Sequence, residues 1–310
     1  MAILLSDIAI NTQDALYGFV IDEFRKSSFL LDNIPFVDAV SPSGGGSTPT
    51  YSYNRVITQA TAATRAINSD YTPQEAKKER KSVDLKVFGG KFGIDRVLAN
   101  MGGITDETEF QMQQKIKATQ ALFSDMVING DTGTDANGFD GLSKALTGTG
   151  NALTTTVDLS DAASITSNYM AFMDELNALM SVLDGTPSAL LMNGKTKLKL
   201  QGVANRAAMY QQTKNTLGQM IDLYAGIPVI DLGAKSGSND PIVADGEIYA
   251  VRFGLDGFHA VSMAGQEPIR YRLPNEDTGD AVNYGWVEMV AAVALKSTKA
   301  AAKLSGIVVA

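Results

Sequence analysis

Residues 104–142 read ITDETEFQMQQKIKATQALFSDMVINGDTGTDANGFDGL, and the rest of the chain is arranged around them. The stretch opens with a helix start: Asp106 can cap the first turn, and Glu109, three residues on, can reach back to it. Phe110, Ile116, Ala121, Leu122, Val127 and Ile128 then follow the three-to-four-residue spacing of an amphipathic helix. No Gly or Pro interrupts the sequence from Thr105 to Asn129. The pattern predicts one helix over 105–129, about 35 Å long at 1.5 Å per residue and roughly twice the average for a globular domain. Gly130 stands where a left-handed C-terminal stop belongs. Beyond it a Gly/Asp/Thr/Asn loop ends in Phe139-Asp140-Gly141-Leu142, a short apolar anchor. A long strut, a polar loop and an anchor form a mechanical arrangement; the plain alternative is a core helix with a surface loop.

Composition removes several function classes. The 310 residues are enough for two domains with a sizeable core. Apolar residues make up 45% and charged residues 19%, which is neither a disordered nor a membrane composition. No window reaches the roughly 18 apolar residues that a spanning helix needs. The opening MAILLSDIAI has no basic segment and does not resemble a signal peptide. There is no cysteine, so disulfides and thiolate metal sites are excluded, and the single histidine, His259, argues against a His-based metal cluster or triad. A net charge of -8 argues against a protein built to grip nucleic-acid phosphates. A container for nucleic acid remains compatible with it.

Residues 1–50 read as an arm. Leu16, Phe19, Val20 and Phe24 share one face of a short helix near 13–26, and Phe29-Leu30-Leu31, Ile34 and Phe36-Val37 follow irregularly before a Ser/Gly/Pro break at 41–47. Apolar residues without a clear partner in their own segment point to packing on another subunit, with Leu16, Phe19, Phe24 and Phe29 as the contacts. Residues 51–98 read as an extended β-hairpin. Tyr51, Tyr53, Val56 and Ile57 open its first strand, and Val83, Leu85 and Val87 alternate with polar residues on the way back. From Arg65 to Lys91 there are seven Lys/Arg against four Asp/Glu, a net +3 inside a chain of -8. Such a run is usually a solvated face; its sign here suggests that Arg65, Lys77, Lys78, Arg80 and Lys81 dock on an acidic neighbour.

Residues 156–280 read as an α/β domain. Asp158 or Ser160 can cap a helix carrying Ile165, Phe172, Leu176 and Leu179. A buried strand at 188–192 and a second helix from about Lys195 to Val203 follow. Residues 205–226 are mixed and look mobile. Strand candidates lie at 227–232, 248–253 and 257–263. The final apolar run, VNYGWVEMVAAVALK at 282–296, reads as a strand buried on both faces that returns to the long helix.

The order of arm, hairpin, long helix with its Gly/Asp loop, α/β domain and returning strand resembles the major capsid proteins of tailed bacteriophages, the Hong Kong 97 type. The resemblance rests on NGDTGTDANGFDGL behind the helix, the Ala-Leu-Leu-Met-Asn strand at 189–193 and the closing YGWVEMVAAVALKSTKAAAKLSGI at 284–307. It covers nearly the whole chain, through the order of several weak motifs. It implies an α+β fold with an N-terminal arm (1–50), an extended loop (51–98), a peripheral domain (99–155 and 281–310) holding the spine helix, and an axial α/β domain (156–280). It further implies pentamers and hexamers in an icosahedral shell around double-stranded DNA, located in the virion and assembled in the host bacterial cytoplasm. A portal, a decoration protein and a separate scaffolding protein would be partners, unless a scaffolding leader is missing from this sequence. No catalytic residue, cofactor, metal or membrane contact is expected. Some members cross-link Lys to Asn; Lys77, Lys78, Lys81 and Lys86 lie in a suitable region, without a residue-level match. An encapsulin-like cargo compartment is the alternative on the same fold.

Four patterns imitate chemistry. Asp131-Thr132-Gly133 and Asp277-Thr278-Gly279 resemble the paired loops of an aspartic-type hydrolase, but neither follows an apolar strand. Gly194-Lys195-Thr196 resembles the end of a phosphate loop, but Ala189 stands where its first Gly should be, so a helix start explains it better. Asp131, Asp135, Asn137 and Asp140 lack the central Gly and closing Glu of a calcium loop. His259, between Phe258 and Ala260, reads as a structural residue of a strand.

Overall fold

The computed structural model describes residues 29–40, 48–99, 107–207, 211–214, 220–263, 269–274 and 280–309. The described chain enters through a short helix, α1 (Phe29–Asn33), and a strand, β1 (Phe36–Ala39). Then β2 (Thr50–Thr58) and β3 (Lys77–Asp84) form an antiparallel hairpin, and β3 runs through Leu85 into β4 (Lys86–Asp95) and a turn of helix, α2 (Arg96–Ala99). The long helix is α3 (Glu107–Asn129), followed by α4 (Leu142–Leu146) and β5 (Ala152–Thr154). Next come α5 (Ala162–Ser181), β6 (Ala189–Met192) and α6 (Gly194–Arg206). Four strands follow: β7 (Gln211–Lys214), β8 (Met220–Tyr224), β9 (Ile227–Asp231) and β10 (Ile248–Val251). The chain closes with β11 (Phe258–Met263), β12 (Ile269–Arg272), β13 (Val282–Leu295) and β14 (Ala301–Ser305).

Three sheets organise these elements. In the five-stranded sheet β13 is central: β4 pairs along one edge, and β11 and then β12 pair along the other, with β1 parallel outside β11. The seven-stranded sheet runs β5-β14-β10-β6-β9-β8-β7. The hairpin β2–β3 is a sheet by itself. The sheets cross the linear division of the chain. β11, from the middle of the α/β stretch, joins the five-stranded sheet, whereas β14, from the C-terminus, joins the seven-stranded one. The backbone therefore passes between these two sheets three times, once from β4 to β5 by way of the long helix and again at 252–258 and 295–301, and the last two passages are tied by the Arg252 N–H donating to the Ala300 carbonyl at 2.8 Å.

Helix α3 lies against β4 and β13. Its inner face carries Met112, Phe123, Val127 and Ile128, spaced so that they meet the sheet turn after turn. Met112 packs with Phe92 and Val287, and Phe123 stacks with Phe36 and Phe88 and meets Phe139 of the following loop. The strand β13 contacts the long helix, as its apolar run suggests, but it is not buried on both faces throughout. Burial alternates from Val282 to Val290 and becomes continuous only from Ala291 to Leu295, where the hairpin base covers a second face. The helix cap expected at Asp106 lies outside the described residues.

The structure revises two local expectations, at Gly130 and at the cap of α5, and adds detail to a third stretch. Gly130 is not left-handed: its N–H donates to the Met126 carbonyl at 2.9 Å, continuing the helix. It is glycine because a Cβ would stand 2.3 Å from the Phe139 carbonyl oxygen, where the loop returns over the helix end. The cap of α5 is Asp161, which accepts from the Ser164 N–H at 2.7 Å, while Asp158 accepts from the Ser160 N–H one turn earlier. Within residues 205–226, read from sequence as mixed, the described residues form an antiparallel pair, β7–β8, at the edge of the seven-stranded sheet. β7 (QQTK) is wholly polar and β8 (MIDLY) has a single polar break, so neither short strand carries a strong period-two signal.

Candidate assembly surface

Among the described residues the hairpin is a part with little cover from its own body. Val56 and Ile57 are each more than half exposed, and at the tip Ile67 is 91% exposed beside the exposed Tyr71. The alternation of β3 divides the basic residues: Lys78 and Arg80 share one face, Lys77 and Lys81 the other. Arg80 donates to the Ser52 hydroxyl, and Lys81 pairs with Glu79 at 2.7 Å. Arg65 lies over the Tyr71 ring and donates to the Ser69 carbonyl, so it shapes the tip. The structure thus gathers Arg65, Lys77, Lys78, Arg80 and Lys81 on one projecting element, on both of its faces.

Polar and aromatic contacts hold the hairpin at its base. The Tyr53 hydroxyl donates to the Leu295 carbonyl at 3.0 Å. The Arg55 guanidinium donates to the Leu295 carbonyl and, through Nε, to the Lys296 carbonyl at 2.9 Å. Tyr51 meets the ring of His259 edge-on. Burial raises the pKa of Tyr53, which keeps its hydroxyl proton available to donate. Sequence reading placed Tyr51 and Tyr53 on the strand but missed the anchor. Its partners are backbone carbonyls some 240 residues away, which have no sequence signature.

The arm divides. Leu16, Phe19 and Phe24 lie outside the described residues. Phe29 is partly buried on its own chain, with its ring 6.4 Å from that of Phe253, and Leu30 and Ile34 beside it are buried in the main core. The parallel pairing of β1 with β11 draws this segment onto the body, a contact no local pattern reports.

The loop behind α3 is structural. Lys144 sits between Asp131 (2.5 Å) and Asp140 (3.0 Å), and Asp140 also accepts from the Thr132 N–H and hydroxyl. The hydrogen bond from Lys144 holds the Asp131 carboxyl below its ordinary pKa, and the same ion cluster raises Lys144. An ammonium thus stands among the carboxylates that imitate a calcium loop, and Asp131 is committed to an ion pair rather than to acid–base work. Asp277, its supposed partner, lies outside the described residues. Gly194-Lys195-Thr196 begins α6: Asn193 accepts from the Thr196 N–H, and the Thr196 hydroxyl accepts from the Gly246 N–H. Among the described residues no three metal-ligating side chains cluster, and no helix is long and apolar enough to cross a membrane.

No protein-family model matches the chain, and no curated protein matches it in sequence. Solved structures do match. The chain is similar to the holo-SrpI encapsulin complex of Synechococcus elongatus PCC 7942, with 12% identity, a TM-score of 0.66, and 100% of this chain and 97% of that one covered. It is similar to Mycobacterium phage Bobi, with 10% identity, TM-score 0.60 and 97% of each chain covered. It is also similar to the capsid of a native GTA particle, with 11% identity, TM-score 0.58 and coverages of 96% and 98%. Identities this low speak for the fold alone. That fold is shared by these capsid and encapsulin chains. It is the α+β Hong Kong 97 type, with the hairpin as its extended loop and α3 as its spine helix.

Proposed function

We propose that the chain is the major capsid protein of a tailed bacteriophage, assembling as pentamers and hexamers into an icosahedral shell around double-stranded DNA. The observation that carries this reading is a full-length capsid fold combined with a hairpin on which Val56, Ile57, Ile67 and Tyr71 are each more than half exposed. Exposed apolar side chains on a projecting element are stabilised when a second copy buries them, and the +3 segment adds charge complementarity to a subunit of net -8. In this reading residues 1–50 are an arm, 51–98 an extended loop, 99–155 with 281–310 a peripheral domain and 156–280 an axial domain. Arg65, Lys77, Lys78, Arg80 and Lys81, with Leu16, Phe19, Phe24 and the partly exposed Phe29 of the arm, contact neighbouring copies. Scaffolding, portal and decoration proteins are the further partners, assembly takes place in the host bacterial cytoplasm, and the virion is the destination.

A second reading, an encapsulin-like compartment for cargo protein, is favoured by the whole-chain match to the SrpI complex. Electron microscopy of particles purified from the native source, with absorbance at 260 and 280 nm before and after nuclease, separates the two. Uniform shells holding nuclease-protected DNA support the capsid. Shells with protein cargo and no DNA support the compartment, and a chain that never assembles removes both.

A further inference from the structure

The residue beneath the hairpin base has a property that neither fold nor assembly requires. His259 on β11 is fully buried, and neither of its ring nitrogens has a hydrogen-bond partner among the described residues. Phe258 and Ala260 flank it, Ala294 is its partner across β13, and the Tyr51 ring of the hairpin closes over it. The charged and titratable groups around the base come from each packed element. β2 supplies Tyr51, Tyr53 and Arg55; β3 supplies Lys81, paired with Glu79; and Lys296 follows β13 with its ammonium over the Tyr51 ring. Asp38 of β1 lines a cleft shared with Tyr51, Tyr53 and Arg80. The charge acting on the imidazole is the Lys296 ammonium, which opposes a second positive charge; the Gly257 backbone nearby favours the protonated ring more weakly, without the geometry of a hydrogen bond.

We propose that the hairpin base is a proton-sensitive latch: Tyr53 and Arg55 clamp β2 to the Leu295 and Lys296 carbonyls, Tyr51 seals His259 beneath, and a proton on His259 releases the hairpin. An imidazolium cannot stay in this place unpaired beside an ammonium; lifting Tyr51 lets water reach it. The clamped carbonyls lie where the chain leaves the five-stranded sheet for the seven-stranded one, so release at this point frees the hairpin at the passage between the two sheets.

Burial and Lys296 push the His259 pKa down to about 4 in the closed form, and exposure on opening restores the ordinary value of 6.5. The open form therefore binds the proton more readily. The closed form is fully favoured above pH 6.5, and this preference is lost as pH falls from there to about 4. Between pH 7 and pH 4.5 the ratio of open to closed rises on the order of 50-fold.

Hydrogen–deuterium exchange of the full-length protein, followed by mass spectrometry of peptides covering 50–58 and 258–263, tests the latch at these two pH values. Comparison with His259→Leu at the same pH cancels the intrinsic pH dependence of exchange. The wild type is expected to lose protection in both peptides at pH 4.5 relative to His259→Leu, and Lys296→Met to show a smaller acid loss because its closed-form imidazole accepts a proton more readily. Equal acid loss in wild type and His259→Leu, or none in either, overturns the proposal. If His259→Leu does not fold, the Lys296→Met comparison decides: an acid loss unchanged from wild type overturns it.

Discussion

The spine and the hairpin are opposite solutions to placing a long element in one chain. Helix α3 is fixed by shape: Phe123 is fully buried among Phe36, Phe88 and Phe139, and β4, β13 and the 130–141 loop close around it. The hairpin keeps its tip and most of its side chains in solvent, and is held at one end by hydrogen bonds to two carbonyls and by aromatic contacts. Apolar burial is non-directional and accumulates over many contacts, so it makes a rigid strut. A few exchangeable hydrogen bonds, each with a modest net contribution, leave the angle of a projecting element adjustable until neighbours cover it. The stability of the spine is thus contained within the subunit, while the hairpin tip draws little from it.

The sharpest way to break this contrast is at the spine. Phe123→Ala is expected to lower subunit stability by about 3–5 kcal/mol, read from denaturant unfolding with an unchanged m-value. A loss below about 1 kcal/mol would show that the helix is not held by this cluster. Next comes Gly130→Ala, whose Cβ meets the Phe139 carbonyl oxygen at 2.3 Å and the Met126 carbonyl oxygen at 2.5 Å. Overpacking of this kind costs about 1–3 kcal/mol, and an unchanged melting temperature would refute the close approach.

At the hairpin the effects are smaller and local. Tyr53→Phe removes one hydrogen bond to Leu295, worth about 1 kcal/mol. Exchange over Thr50–Thr58 should quicken about fivefold while global unfolding stays in place. If global stability falls instead, the hairpin belongs to the cooperative core. Reversing Lys77, Lys78, Arg80 and Lys81 to Glu should change subunit stability least, within about 0.5 kcal/mol per site, because these residues lie on the projecting hairpin. The same variant should yield few shells by size exclusion and electron microscopy. Normal particle yield would remove the charged docking role.

Much of this was legible along the chain. The helix at 107–129, the paired strands of the hairpin, the buried 189–192 strand and the returning β13 all announce themselves through short-range periodicity, because secondary structure repeats every two or 3.6 residues and burial follows the repeat. The basic segment was equally plain, since charge is additive along a sequence. The hidden parts were set by contacts distant in sequence. The reason for Gly130 lies in a carbonyl nine residues away, Lys144 fills the centre of a loop that reads as a cation site, and Phe29 is drawn inward by a parallel pairing over 200 residues distant.

By itself, then, the sequence determined which segments are helix, strand and projecting hairpin, and which carry positive charge, because those properties arise from each residue's side chain and its near neighbours. Only the tertiary structure decided that β11 and β14 exchange sheets, that Tyr53 and Arg55 grip the carbonyls of Leu295 and Lys296, and that His259 is sealed beneath Tyr51. These depend on which backbone groups meet when remote segments pack, and a backbone carbonyl is the same in every residue until the fold gives it a partner.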